Sequence, residues 1–223
     1  MIYKLNIKIN ECKTLEDIKN FMKLNEVKII FFAETHGILD ELIIQDKIIS
    51  KLKPVCYLYE LLEEEKIISK RDFVKFLEKD DSERFSVISS FGELKPTVKL
   101  AKKHHIPLIG CDTTNMLRKN KDFLNEINSD EEKKIMFDRE RKQIDVIKKS
   151  LSKYIPPIFV SIGAFHLRKD SLIFKEIKSN YIIIRPLVDN MELENLEENF
   201  NIKNAKEITY IIESNKNDIQ IKN

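Results

Sequence analysis

Two short stretches place acid–base residues where a buried strand gives out. Residues 28–37 read KIIFFAETHG and residues 158–166 read IFVSIGAFH. In each, an apolar run rich in β-branched and aromatic side chains reads as a buried strand, and a glycine and a histidine follow it, His36 in the first case and His166 in the second. Glu34 stands just before His36. A carboxylate and an imidazole at a strand end cost desolvation energy and add nothing to a core, which marks Glu34, His36 and His166 as candidates for chemistry. Two further strand-like runs end in acids: VCYLYE at 55–60 ends on Glu60, and IPLIGCD at 106–112 ends on Asp112. Imidazoles and carboxylates together can bind a divalent metal and activate its water toward a carbonyl. Equally, one histidine can be a metal-free general base, held in its tautomer by Glu34 or Glu60, while the other polarises the substrate.

The elements that would position these residues alternate. Residues 2–9 alternate apolar and polar side chains, as in an edge strand, and Thr14 followed by Glu16 and Asp17 opens a helix to about Leu24. After the strand at 29–33, residues 39–52 carry Leu39, Leu42, Ile43, Ile49 and Leu52 at helical spacing, and Pro54 stops that helix. The strand at 55–60 leads to a charged stretch, 61–79, that reads as helical, and Pro96 suits the first turn of a helix running to His104. Two charged helices follow the strand at 106–112, over 115–128 and 130–154, and Pro156 and Pro157 end the second. After the strand at 158–162 a helix is expected over 169–179, then strands at 181–184 and 207–213 with an acidic stretch, 189–200, between them. This succession predicts a single α/β domain over residues 1–223, with an open, largely parallel central sheet flanked by helices. In such sheets ligands gather beyond the carboxyl ends of the strands, where Glu34, His36, Glu60, Asp112 and His166 all fall.

Composition narrows the function classes. The 39 basic and 37 acidic side chains are interleaved, so bulk charge gives no reason to expect nucleic acid as a partner. The first ten residues, MIYKLNIKIN, lack the build of a secretory signal, and no apolar run approaches the length of a membrane span. Cys12, Cys56 and Cys111 are odd in number and unmatched in spacing, which predicts free thiols and a cytoplasmic setting.

Set in order, AETHG at 33–37, YLYE at 57–60, GCD at 110–112, DRERKQI at 138–144 and GAFHL at 163–167 resemble the erythromycin esterase/ChaN-like superfamily, which includes TraB, PrgY and TIKI proteins. The resemblance covers roughly residues 28–187, and Ala33 stands where the first Gly-x-x-His motif of that superfamily has glycine. It implies a hydrolase of ester or peptide bonds with a site built from Glu34, His36, Glu60, Arg139 and His166, with Asp112 nearby and Arg141 the fallback for the arginine. A small-molecule or peptide would be the substrate. A divalent metal (Zn, Mn or Co) on Glu34, His36 and His166 would be its cofactor. The alternative is a protein that holds haem or a metal without turnover. Each residue also has a plainer reading. Glu60 suits the start of a helix, Asp112 before Thr113 and Thr114 suits an N-cap, and Arg139 among Asp138, Glu140 and Arg141 suits a solvated helix face. His104 and His105 read as helix C-terminal residues rather than ligands.

Overall fold

The computed structural model describes residues 14–35, 40–63, 67–68, 94–112, 130–186 and 210–214. In chain order its elements are α1 (Leu15–Leu24), β1 (Ile29–Glu34), α2 (Asp40–Leu52), β2 (Tyr57–Glu63), β3 (Ile67–Ile68), α3 (Leu94–Lys103), β4 (Leu108–Asp112), α4 (Asp130–Lys153), β5 (Ile158–Gly163), a 3-10 turn (Ala164–Leu167), α5 (Leu172–Glu176), β6 (Tyr181–Pro186) and β7 (Tyr210–Ser214). The strands form one sheet in the order β3-β4-β2-β5-β1-β6-β7. The five strands from β4 to β6 are parallel, and β3 and β7 close the two edges antiparallel. The α/β class and the open, largely parallel sheet are therefore as the sequence predicts.

All six residues of β1 are buried, as are all six of β5 beside it, because helices cover both faces of the sheet. Side-chain alternation sorts the core into two layers. Ile30, Phe32, Tyr57, Tyr59, Leu108 and Phe159 pack with α1, α2 and α3 on one face. Ile29, Phe31, Leu58, Cys111, Val160 and Ile162 pack with α4 and α5 on the other. This parity decides which face each strand-end side chain can serve.

Helix entry and exit follow local chemistry. Thr14 and Asp17 form a reciprocal capping box at the start of α1. Glu26, Lys53 and His105, each just beyond a helix, have φ of 49°, 51° and 54°, a left-handed turn that hands the chain to the next strand. His104 meets Asp46 of α2 through Nε2, at 2.6 Å. Both histidines thus serve the end of α3, as their place in the sequence suggests.

The structure corrects the sequence reading in three places. Residues 61–63 prolong β2 and 67–68 form β3, where a helix was expected, because Leu61 and Leu62 are buried and continue the strand. The helix after His166 is shorter than expected, five residues from Leu172 to Glu176. The inner face of α2 also differs, since Ile43 is 58% exposed while Glu41 and Gln45 are buried. Polar demand from below explains the swap: Glu41 accepts the Thr35 backbone N–H at 3.0 Å, and Gln45 accepts the Tyr57 hydroxyl. The expected strand at 2–9 and helix at 115–128, the acidic stretch 189–200, and Cys12 lie outside the described residues. Cys56 and Cys111 are free and buried, and burial pushes the Cys56 thiol up to about 12. Among the described residues no helix is long and apolar enough to cross a membrane.

Candidate functional site

Glu60 lies on β2 in phase with Leu58, so its side chain faces the layer containing α4. The third turn of α4 brings Arg139 over it. Arg139 Nε–H donates to Asp112 Oδ1 at 3.0 Å, and Nη2–H donates both to Asp112 Oδ2 at 3.1 Å and to Glu60 Oε1. One guanidinium thereby ties Glu60 of β2, just past the pairing of that strand with β5, to the carboxyl end of β4, with the fork on Asp112 that a lysine could not form. Arg141 points away, 63% exposed at its side chain and paired with Asp138 at 2.9 Å. Of the two arginines, Arg139 is the one at the strand ends. Its Nη1 has no partner among the described residues.

Glu60 is shared further. Its Oε2 accepts the backbone N–H of Gly163, and Oε1 lies 3.3 Å from His166 Nε2. His166 is carried by the 3-10 turn that follows β5 and is buried. Its other ring nitrogen, Nδ1, lies 3.4 Å from Oε1 of Glu140, the residue after Arg139 on α4. Glu140, fully buried, also accepts from Arg168 Nη1, and through Oε2 accepts the Leu172 N–H at the start of α5 at 2.9 Å. Arg168 lies against the Phe165 ring at 5.0 Å and the Phe137 ring at 5.9 Å, and its Nε meets exposed Asp170 at 3.0 Å.

The result is a row of alternating charge: Asp112, Arg139, Glu60, His166, Glu140, Arg168. Three carboxylates and two guanidiniums balance only if His166 carries a proton. Burial works against that charge, but the Glu60 carboxylate and the hydrogen bonds to Glu140 and Glu60 outweigh it and hold the imidazole above its usual range. For Glu140, burial is likewise outweighed, here by His166, Arg168 and the Leu172 amide, and its carboxyl is held below the usual range. Arg139 stays charged against its burial because Glu60 and Asp112 flank it.

These shifts fix the direction of pH dependence. A raised His166 stabilises the fold fully below the unfolded imidazole value of about 6.5, and this is lost as pH climbs through the folded value. A lowered Glu140 stabilises above the unfolded carboxyl value of about 4.3, and this is lost as pH falls through its folded value. The difference in Tm between the native chain and His166→Gln is expected to be largest near pH 5–6 and to shrink toward pH 9. A difference constant over that range would mean that folding leaves the His166 pKa unshifted, and one that shrinks toward pH 5 would mean that the ring is held neutral in the fold.

Glu34 belongs to a second polar group. It is in phase with Ile30 and Phe32, on the opposite face from α4, and it accepts the Tyr59 hydroxyl at 3.3 Å and the Ser161 hydroxyl. The structure therefore brings Glu60, Asp112, Arg139 and His166 together and sets Glu34 on the other side of the sheet. His36 lies outside the described residues. Of the expected metal donors, His166 has both ring nitrogens facing carboxylates and Glu34 accepts two hydroxyls, while the third, His36, lies outside the described residues. Among the described residues no group of three or more His, Cys, Asp or Glu is arranged to hold a metal ion.

Sequence reasoning missed Glu140 and Arg168. Glu140 was readable in principle, because it falls on the stripe of α4 that Met136, Ile144 and Ile147 define as buried, and a carboxylate there needs partners. Gln143 shares that stripe, and its amide is buried with no hydrogen-bond partner among the described residues. Arg168 offered no comparable signal.

No family model matches the chain, and no curated protein matches it. Among solved structures it is similar to one describing cofacial heme binding to ChaN of Campylobacter jejuni, with 13% identity, a TM-score of 0.48, and coverage of 90% of this chain and 92% of that one. At that identity and score the likeness says nothing about what this chain binds.

Proposed function

We propose that the chain is a hydrolase of ester or peptide bonds of the erythromycin esterase/ChaN-like kind, working through a histidine, carboxylates and an arginine at the carboxyl ends of β2, β4 and β5. The observation that carries this reading is the buried row of charge at those strand ends, above all His166 facing Glu60 at 3.3 Å with Arg139 on the same carboxylate. Such a cluster is costly to desolvate, and a hydrophobic replacement would serve the fold as well, so its place at the ligand end of a parallel sheet favours chemistry.

The roles follow from the charges. Arg139, through Nη1, meets the carbonyl oxygen and the negative charge that grows there as water adds to the carbonyl carbon. Glu60 takes the proton from that water, and the Nε2–H of His166 protonates the departing oxygen or nitrogen as the acyl bond breaks. The proton on Glu60 then returns to His166, leaving acid and alcohol or amine as products. Asp112 keeps Arg139 in place, and Glu34 with Tyr59 and Ser161 stiffens the opposite face.

Purified protein treated with a chelator and assayed against short-chain p-nitrophenyl esters and dipeptides is expected to hydrolyse at least one class, with loss of about 100-fold or more in kcat for His166→Gln. Absence of turnover across the panel, or turnover unchanged in His166→Gln, would contradict the reading. The competing account is a haem- or metal-holding protein without turnover, which would place the weight on His36. A Soret band or stoichiometric Zn, Mn or Co in the purified protein, without hydrolysis, would favour it.

A further inference from the structure

Glu140 is fully buried behind the His166 ring, where it meets two members of the charged row, His166 and Arg168, and the Leu172 amide. We infer that Glu140 is a positioning residue, which holds the His166 ring through Nδ1 so that Nε2 faces Glu60, and fastens that ring to the start of α5. The inference rests on the hydrolase reading for its functional consequence but not for its geometry.

Three observations converge on it. The 3-10 turn that bears His166 is only four residues long, too short for its own backbone bonds to fix the ring. Glu140 Oε1 meets both His166 Nδ1 and Arg168 Nη1, which lie on either side of Leu167. Its Oε2 holds the Leu172 amide, so one carboxylate spans the whole connection from β5 to α5. The other charged groups around the ring are Glu60 on β2 and Arg139 on α4, with Asp112 on β4 beyond Arg139. None of these reaches Nδ1 among the contacts described. A histidine held this way by an outer carboxylate keeps one nitrogen assigned and the other presented, at the cost of one buried charge that Arg168 offsets.

Glu140→Gln tests the assignment, because glutamine keeps the shape and can still accept from the Leu172 amide while giving up the charge. In the native chain the Nδ1–H of His166, assigned by its absence in His166→Gln, is expected as a downfield, slowly exchanging proton resonance. In Glu140→Gln it should move upfield and exchange at least tenfold faster. Hydrolysis, once found, should lose at least tenfold in kcat with KM little changed, and Glu140→Asp should recover part of it. An Nδ1–H resonance in Glu140→Gln like that of the native chain, or a native chain with no protected Nδ1–H at all, would overturn the inference. The second measurement needs no variant at 140 and stands even if Glu140→Gln does not fold. If the resonance behaves as expected but no ester or peptide is cleaved, the hydrolase reading falls and the positioning of His166 stands.

Discussion

Arg139→Met is expected to destabilise the fold by about 3–5 kcal/mol, the largest effect of any single change at the strand ends. Methionine fills much of the same space, so the loss is not one of packing. It arises because Glu60 and Asp112, both buried, would be left as carboxylates facing each other's field without the cation that bridges them. Arg139→Lys is expected to recover only part, because a single ammonium cannot donate in parallel to Asp112 and reach Glu60 as well. The triple change Arg139→Met, Glu60→Gln, Asp112→Asn should be more stable than Arg139→Met alone, since it removes the stranded charges together with their partner. Urea unfolding of the three variants measures this. A loss below about 1 kcal/mol for Arg139→Met, the size of an exposed ion pair, would mean that the cluster is open to water.

Phe31→Ala is expected to cost about 3–5 kcal/mol for a different reason. Phe31 is fully buried on β1 and meets Tyr181 edge-on at 5.5 Å and Phe174 at 6.2 Å, while those two rings stack at 5.2 Å. Its ring therefore joins the central strand to both α5 and β6, and alanine would leave a cavity that two anchored elements cannot readily close. Thermal or urea unfolding should show the loss with little change in His166, whose partners lie on β2 and α4. A cost below about 1.5 kcal/mol would indicate that α5 and β6 repack freely around the vacancy. Because Phe31 and Arg139 share no partner in these contacts, their effects are expected to add within about 0.5 kcal/mol.

The fold was legible because its signals are local. Apolar runs such as IIFFA and IFVSI, separated by capped, amphipathic helices, leave little room for another class; of the strand-end residues named from sequence, Glu34 and Asp112 end β1 and β4, His166 follows β5 by three residues, and Glu60 lies within β2 just past its pairing with β5. What could not be read was partnership. Glu34 and Glu60 look alike in sequence, each closing an apolar strand, but the pleat sends Glu34 to Tyr59 and Ser161 and Glu60 to Arg139 and His166. Arg139 and Arg141, two positions apart on a helix, diverge by most of a half-turn, so only the packing of α4 tells which one is buried. The strand at 67–68 was hidden for another reason, since a two-residue edge pairing carries too little pattern to register.

The claim on which the rest turns is that His166 is held as a cation between Glu60 and Glu140. Titration of its ring carbon-bound proton by NMR, in the native chain and with His166→Gln to assign it, measures this directly. The account predicts a midpoint above the ordinary imidazole value of about 6.5, lowered in Glu140→Gln. A midpoint below that value, with the ring neutral at pH 6, would contradict it.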